Sequence, residues 1–445
     1  YAKRHVVMRP PHAGDAGLEE ELITRFPFQE TVDQLKAEEE IMHDLARVQP
    51  MDRILCGDVG FGKTEIAIRA ATRVIASGKQ VAFLAPTTVL VAQHERTLKE
   101  RFADTALVVD MLSRLTSKHE EKKILHGLQA GTVDCVVGTH RLLSKNITIK
   151  NLGLVIIDEE QRFGVKQKEA LKNLRTEVDV LSLSATPIPR TLQLTLAHVR
   201  DISFLKTPPP DRLAIHTFVL PYTKKTIGAA LHRELERGGQ VYFLHNRIET
   251  IGDVKQKLEK LLQRRQWRNR DVLSLDASLK RSSTSLFRPS MTDPRIGVMH
   301  GRMKEQEMIK TMDKFRNKEI DILLATTIIE NGLDISSANT LIVDDATLLG
   351  LAQAHQLRGR VGRSSTQAFA YFLYKPRHMT DKAADRLQAL QDYAGLGAGY
   401  DIALRDLEIR GAGNILGREQ SGTINKIGLN LYYQMLADAI DLLKT

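Results

Sequence analysis

The sequence predicts an α/β protein with two tandem, doubly wound parallel-sheet domains and a small helical element at its C-terminal end. Short, continuously apolar runs alternate with longer amphipathic segments, and this alternation occurs twice along the 445 residues. Continuous apolar runs are typical of parallel strands covered on both faces, and helices between them indicate βαβ units. The proline-rich segment Lys206–Asp211 separates the two repeats, because such a segment cannot continue a helix or a central strand.

The two domains have similar sets of predicted strands. In the first domain they are Arg53–Cys56, Val81–Ala85, Val133–Val137, Leu154–Ile157 and Val180–Leu183. In the second they are Val241–Leu244, Ile296–Met299, Ile320–Leu324, Leu341–Val343 and Phe369–Leu373. We therefore predict a polar lead-in over residues 1–25, a first domain over 26–205, a linker over 206–211, a second domain over 212–375 and a glycine-interrupted helical element over 376–445.

Composition narrows the class of protein. A net charge of +10 and an isoelectric point of about 9.4 favour an anionic partner, nucleic acid above all. Cys56 and Cys135 show no disulfide or metal-binding spacing, which is typical of a reducing compartment. No apolar run approaches the length of a membrane span. The chain begins with Tyr1 rather than Met, and no apolar stretch that could be a signal peptide follows Tyr1, so we expect a fragment or a processed chain.

One segment of the second domain, residues 261–296, is rich in Arg, Lys and Ser and contains Trp267. Two interpretations remain open. The segment is either a solvated surface loop or an additional contact with the DNA backbone.

A phosphate-binding loop is predicted at residues 57–64, which read GDVGFGKT and match G-x-x-x-x-G-K-[ST]. An apolar strand precedes the loop, and a helix is predicted from Thr64 to Ala76, stopped near Gly78. In such a loop, backbone N–H groups point at phosphate oxygens, while the lysine reaches the β- and γ-phosphates and the threonine hydroxyl binds Mg²⁺. The nucleotide-binding residues predicted here are Gly57, Asp58, Gly60, Gly62, Lys63 and Thr64.

An acidic pair follows another predicted strand. Leu154–Ile157 runs directly into Asp158 and Glu159. Beside a phosphate-binding loop, the first carboxylate is expected to hold Mg²⁺ and the second to polarise the attacking water as general base.

The second domain contains an arginine-rich segment. Residues 356–363 read QLRGRVGR, with Arg360 and Arg363 three positions apart. That spacing predicts one face of a helix. Guanidinium groups there are expected to reach the γ-phosphate across a cleft between the domains, as arginine fingers.

Taken together, these motifs resemble the core of superfamily 2 helicases, which implies two RecA-like lobes. Gln34 resembles the glutamine that reads adenine, with Phe26 or Phe28 as its stacking partner. By the same resemblance, residues that touch DNA are Pro86, Thr87, Thr88, Gly138, Thr139, His140, His300, Gly301, Thr326 and Thr327. Residues that couple hydrolysis to movement are Ser184, Thr186, Gly332, Asp334 and Gln356.

Longer stretches are similar to the bacterial transcription-repair coupling factors. These stretches are residues 51–64, 158–165 and 184–192, and a translocation motif at 406–417 and 420–422 that is shared with RecG-type helicases. Arg410 and Gln420 belong to this last motif. The resemblance implies an ATP- and Mg²⁺-dependent motor on double-stranded DNA in the bacterial cytoplasm, with no membrane. It also implies stalled RNA polymerase and excision-repair proteins as partners, through domains outside this chain.

Asn331 departs from the usual Thr or Ser of the second-lobe coupling motif, and we expect activity to survive this change. Two alternatives stay open. A RecG-type helicase that remodels stalled forks would need a wedge domain before the first lobe. A catalytically inactive DNA-binding scaffold would have no need of Lys63, Asp158, Glu159 and both arginines.

Overall fold

The computed structural model describes residues 7–144, 146–175, 177–185, 200–210, 212–263, 294–326, 338–362 and 366–410, and within these it leaves out the side chains at 172, 173, 400, 404, 407 and 410. The described residues divide into two compact units, one up to Pro210 and one that extends to Ile409. Each unit is built around one parallel sheet.

The sheet of the first unit has seven strands in the order β3-β4-β2-β5-β6-β1-β7. Every strand pairing in it is parallel, as expected for βαβ units with helices on both faces. The strands are β1 (Asp52–Gly57), β2 (Gln80–Leu84), β3 (Val109–Leu112), β4 (Cys135–Gly138), β5 (Leu152–Asp158), β6 (Asp179–Ser184) and β7 (Asp201–Leu205).

Six helices accompany this sheet: α1 (Ala16–Thr24), α2 (Val32–Leu45), α3 (Lys63–Ala76), α4 (Thr88–Arg101), α5 (Lys118–Ala130) and α6 (Val165–Leu174), counted over the described residues. Local sequence explains several of their starts. Asp15, Thr31, Thr87 and Ser117 cap α1, α2, α4 and α5 with their side chains. The predicted lead-in therefore contains a helix, α1, which the polar composition of residues 1–25 did not indicate.

The sheet of the second unit has six strands in the order β10-β11-β9-β12-β13-β8, all paired in parallel. They are β8 (His216–Pro221), β9 (Gln240–Leu244), β10 (Ile296–Met299), β11 (Ile322–Ala325), β12 (Ala338–Val343) and β13 (Phe369–Tyr374). The helices are α7 (Lys224–Glu236), α8 (Ile251–Gln263), α9 (Glu305–Arg316), α10 (Leu351–Arg358), α11 (Asp381–Asp392) and α12 (Gly399–Arg410). Side chains from α7 and α8 pack on β9, β11, β12 and β13 to form its core.

The prediction of two tandem doubly wound parallel sheets is confirmed. In an open parallel sheet, ligands bind beyond the carboxyl ends of the strands. In the first unit, β5 ends at Asp158 and β1 ends at Gly57, with β6 between them. The acidic pair and the phosphate-binding loop therefore emerge at the same edge of one sheet.

Within the described ranges, no helix has the length and apolar character that a bilayer crossing requires.

Candidate functional site

The predicted phosphate-binding loop joins a strand to a helix. β1 ends at Gly57, α3 begins at Lys63, and the helix continues to Ala76 as predicted. The Lys63 Nζ donates hydrogen bonds to the carbonyl oxygens of Gly57 at 2.5 Å and Asp58 at 2.9 Å. These bonds keep the ammonium over the loop, where phosphate oxygens could replace the two carbonyl oxygens as its hydrogen-bond partners.

Gly62 is the residue that turns the loop into the helix. Its φ of 81° lies in the left-handed region, and a Cβ there would lie 2.3 Å from Gln34 Nε2. We expect Gly62→Ala to lower the free energy of unfolding by about 1–2 kcal/mol through backbone strain alone. We also expect it to weaken nucleotide binding by displacing Gln34, as measured by titration with a fluorescent ATP analogue.

Gly78 offers a matched control for this variant. Its φ of 73° is similar, but a Cβ there would meet nothing within 4 Å. Gly78→Ala should show the backbone strain in its melting temperature without any change in nucleotide affinity. Equal nucleotide affinity in both variants would contradict the role of the contact between residues 34 and 62.

Gln34 connects α2 to the phosphate-binding loop. Its Nε2 donates to the Phe61 carbonyl at 2.9 Å, and its Oε1 accepts from the Thr31 N–H at 2.8 Å in a capping box. Phe26 packs against the guanidinium groups of Arg69 and Arg101, at 5.3 and 5.6 Å from the ring centre. Phe28 is 67% exposed, so of the two phenylalanines it has the more accessible ring.

The acidic pair lies at the end of β5. Asp158 Oδ2 lies 2.8 Å from Nε2 of His94, which is buried on α4. Glu159 is also buried, and its φ of 50° is left-handed although it is not a glycine. Its N–H donates to the Leu183 carbonyl at 3.1 Å, and Gln161 donates to its carboxylate. Strained backbone of this kind is concentrated at functional positions.

The electrostatic environment links the loop to the acidic pair. Burial lowers the pKa of the Lys63 ammonium, and the nearby carboxylates of Glu159 and Asp158 oppose this shift. The residues at this edge also fit Mg²⁺, because the Thr64 hydroxyl and the Asp158 carboxylate are oxygen ligands. Proteins usually hold Mg²⁺ through only one or two such side chains, and waters and substrate phosphates complete its coordination.

Glu160, the next acid, belongs to an ion-pair network rather than to the open edge. Its carboxylate pairs with Arg175 at 2.7 Å and Arg200 at 3.1 Å, and accepts from Ser182 Oγ at 2.9 Å. Burial by itself would raise the pKa of the Glu160 carboxyl. Attraction to Arg200 and Arg175 outweighs burial and brings this pKa down to about 2.

A pH-dependent contribution to stability follows from this depressed pKa. The ionised Glu160 stabilises the fold fully above its ordinary pKa of 4.5 and loses that effect as pH falls toward about 2. We expect Glu160→Gln to be less stable than the parent at neutral pH, by on the order of 1–3 kcal/mol. This gap should shrink between those two pH values, as measured by urea unfolding. The same change at the exposed Glu39 is the control, and a gap that is independent of pH would contradict the assignment.

The first-unit residues predicted to touch DNA follow β2 and β4 at the same carboxyl edge. Pro86 and Thr87 are half-buried, and the Thr87 hydroxyl caps α4 by accepting from the Leu90 N–H at 3.4 Å. His140 is exposed. The side chains of Thr88 and Thr139 are buried, and Gly138 is the last residue of β4. Contact of these residues with DNA stays a prediction.

In the second unit, the predicted residues follow β10 and β11 or lie on α10. His300 is half-buried and Gly301 exposed directly after β10, whereas Thr326 and Gln356 are buried. In the first unit, Ser184 is the last residue of β6 and is buried. The other predicted residues lie outside the described part of the chain: Thr186, Thr327, Gly332, Asp334, Arg363, Gln420 and the side chain of Arg410, as do Asn331 and most of the basic segment 261–296.

The prediction that Arg360 and Arg363 share one face of a helix is wrong. Helix α10 ends at Arg358, and Gly362 adopts a left-handed φ of 72°. Arg360 therefore lies in the turn after the helix, where its N–H donates to the Leu357 carbonyl at 3.0 Å. The helix ends next to Gly359, whose φ of −66° is right-handed, and glycine has a low propensity to continue a helix. The left-handed Gly362 then prevents a helix from continuing through both arginines.

Two polar residues beside the site were missed from the sequence. His94 contacts Asp158 although the two are 64 positions apart. Asp33, next to Gln34, accepts from the N–H groups of Lys206 and Thr207 at 2.8 and 2.7 Å, where the predicted linker begins. Neither residue belongs to a motif with a spacing signal, so only the folded arrangement reveals them.

Comparisons with known proteins agree with this arrangement. The family described as DEAD/DEAH box helicase matches residues 31–195, and the family described as Helicase conserved C-terminal domain matches residues 224–365. The first range contains strands β1 to β6 of the first sheet, and the second contains strands β9 to β12 of the second sheet. Nucleotide binding is therefore expected of the chain as a whole.

Among full sequences, the transcription-repair-coupling factor of Bacillus subtilis is 48% identical over 442 residues, which are 99% of this chain and 35% of that protein. The Staphylococcus aureus transcription-repair-coupling factor is 48% identical over 417 residues, or 94% of this chain and 33% of that protein. The chain thus spans about a third of the length of these curated relatives.

Among solved structures, RecG bound to a three-way DNA junction is 31% identical, with a TM-score of 0.74 over 100% of this chain and 54% of RecG. S. cerevisiae Dbp5 bound to RNA and ADP–BeF3 is 16% identical, with a TM-score of 0.61 over 86% of this chain and 92% of that protein, and it shares the fold. The chain has two RecA-like sheets, matches both helicase family models in order and is 48% identical over 99% of its length to the Bacillus subtilis transcription-repair-coupling factor. It therefore belongs to the transcription-repair-coupling factor family of superfamily 2 helicases.

Proposed function

We propose that this chain is the ATP-driven motor of a double-stranded DNA translocase that acts in transcription-coupled excision repair. The observation that carries the proposal is the arrangement at one sheet edge of Lys63, Asp158 and Glu159, because these are the groups that nucleotide hydrolysis needs. The similarity to transcription-repair-coupling factors supports the DNA substrate and the repair context.

The residues of the first unit divide the work of hydrolysis. The N–H groups of the loop at 57–64 bind the phosphates, and Lys63 leaves its carbonyl partners for the β- and γ-phosphates. Glu159 accepts the proton of the attacking water. Thr64 and Asp158 would hold Mg²⁺, which when bound would neutralise negative charge on the phosphate oxygens. Gln34 reads the adenine, and Phe28 stacks on it.

The second unit supplies further positive charge for the phosphates of the nucleotide. We assign Arg360 and Arg363 to the γ-phosphate as arginine fingers, so that hydrolysis requires both units and can be coupled to motion. Backbone contacts through the residues around Thr87 and His140 make DNA binding independent of sequence and sensitive to salt. Arg410 and Gln420 link the nucleotide state to how tightly the chain binds DNA. In the whole protein, further domains engage stalled RNA polymerase and excision-repair proteins in the bacterial cytoplasm.

A RecG-type helicase acting on branched DNA is the second candidate function. The TM-score of 0.74 with RecG bound to a three-way junction favours it. The higher identity to transcription-repair-coupling factors, 48% against 31%, favours the translocase.

ATP turnover with and without long duplex DNA, combined with displacement of a triplex strand, separates these functions. The proposal expects turnover stimulated by duplex DNA and triplex displacement without strand separation. Turnover that responds mainly to forked DNA and unwinds it would favour the RecG-type helicase. An absence of turnover on every DNA, despite nucleotide binding, would leave a DNA-binding scaffold as the function.

A further inference from the structure

His94 lies between two parts of the proposed motor. Helix α4 begins at Thr88, one of the residues assigned to DNA, and runs without interruption to Arg101. His94 is six positions into this helix, about 9 Å along its axis at roughly 1.5 Å per residue. Its Nε2 lies 2.8 Å from Oδ2 of Asp158 at the end of β5. One helix thus begins at residues assigned to DNA and also contacts the proposed nucleotide site.

The imidazole of His94 is buried between a ring and a carboxylate. Its side chain is only 5% exposed, and its ring lies 4.5 Å from the ring of Phe83 on β2. An N–H at Nε2 donates to the carboxylate and restricts the rotation of Asp158 about its side-chain bonds. Because hydrogen bonds weaken steeply with distance and angle, a small shift of α4 changes how firmly this carboxylate is oriented.

We propose that His94 is a positioning residue that connects the DNA-facing start of α4 to the carboxylate of Asp158. DNA bound at the helix start then sets the geometry of the group that holds the nucleotide's metal ion. This inference rests on the proposed function for its DNA component. The contact between His94 and Asp158 does not depend on that function and is tested separately below.

The expected size of the effect follows from other metal sites. Side chains that orient a metal-binding carboxylate typically change metal affinity or activity by about 10- to 100-fold when they are removed. His94→Leu removes the donor while it keeps an apolar side chain against Phe83. His94→Gln returns an N–H donor near the position of Nε2. Recovery by Gln but not by Leu distinguishes hydrogen bonding from packing.

The chain contains a matched control for the loss of a buried histidine. His12 is also buried, and its Nε2 lies 2.9 Å from Oδ2 of Asp179. Asp179 begins β6 and therefore lies at the amino edge of the sheet, opposite the nucleotide site. His12→Leu removes a similar contact away from the site, so it should lower the melting temperature without affecting the nucleotide site.

The first measurement is binding of a fluorescent ADP analogue at increasing Mg²⁺ concentration, without DNA and without turnover. We expect His94→Leu to raise the Mg²⁺ concentration at half-maximal binding by about 10-fold or more, and His94→Gln to recover most of this loss. His12→Leu should match the parent protein. An unchanged Mg²⁺ midpoint in His94→Leu, or an equal change in His12→Leu, would overturn the proposed positioning of Asp158.

The second measurement is ATP turnover of the same variants at saturating Mg²⁺, with and without duplex DNA. We expect His94→Leu to reduce the stimulation by DNA more than it reduces turnover without DNA, while affinity for duplex DNA stays unchanged. An equal loss in both conditions would reject the connection to DNA. A parent protein that duplex DNA does not stimulate would instead contradict the proposed function, and the Mg²⁺ titration would still decide the role of His94.

Discussion

Replacing Glu159 with Gln is expected to abolish ATP turnover while ATP binding persists. The amide keeps the size of the side chain but cannot accept the proton of the attacking water. Loss of a general base typically reduces a rate by about 10²- to 10⁴-fold. Glu159 is buried and its φ of 50° is left-handed, so the fold holds this residue in a fixed backbone conformation at the end of β5. Phosphate release measures turnover, and titration with a fluorescent ATP analogue measures binding.

The neighbouring acids provide the control for this experiment. Glu169 is exposed on α6, so Glu169→Gln should retain full turnover. The next acid, Glu160, is committed to Arg175 and Arg200 and is not positioned as an alternative base. Normal turnover in the Glu159→Gln variant would show that Glu159 is not the general base. Other groups would then have to activate the attacking water.

Replacing Arg360 with Ala is expected to reduce hydrolysis by about 10³- to 10⁵-fold, the usual contribution of an arginine finger. In the proposed role, the guanidinium stabilises negative charge that develops on the γ-phosphate, and alanine has no positive charge to replace it. Arg360→Lys should recover only part of the rate, since an ammonium lacks the planar fork of donors. Steady-state turnover at saturating ATP and duplex DNA measures the effect.

Arg360 is 2% exposed, so its removal could also act through stability. Arg358, two residues earlier, is buried as well, and it donates to the carbonyls of Leu390 at 3.0 Å and Tyr393 at 2.9 Å. Arg358→Ala should lower the melting temperature because it leaves those carbonyls without their donor. Its remaining folded fraction should hydrolyse ATP. Similar turnover per folded molecule in the two alanine variants would argue against a finger at Arg360.

The sequence by itself determined the central strands, the loop between β1 and α3 and the acidic residues after β5. Central strands of parallel sheets are buried on both faces, so their apolar runs are continuous and stand out from the rest of the chain. The predicted runs around residues 81, 154, 241 and 369 all lie within or overlap observed strands. The loop can be recognised from a short stretch of sequence, because its glycines permit the backbone conformation and its lysine is placed to reach the phosphates.

The strands missed from the sequence are β3, β7 and β8, and all three are edge strands. An edge strand has one neighbour and more exposure, so polar residues interrupt its apolar pattern, as in Asp201–Leu205 and His216–Pro221. Their assignment depends on pairing with β4, β1 and β13. Pairing of this kind joins distant parts of the chain and leaves no local pattern.

Tertiary structure alone decided which polar groups meet at the site. Gln34 reaches the Phe61 carbonyl over 27 positions, and His94 reaches Asp158 over 64. The end of α10 at Arg358 likewise replaced the helical face that the arginine spacing predicted. Residue spacing reports neighbours only within one element, whereas a doubly wound sheet brings the carboxyl ends of distant strands to one edge. Which side chains touch there is set by how the strands are ordered and how the helices pack on them.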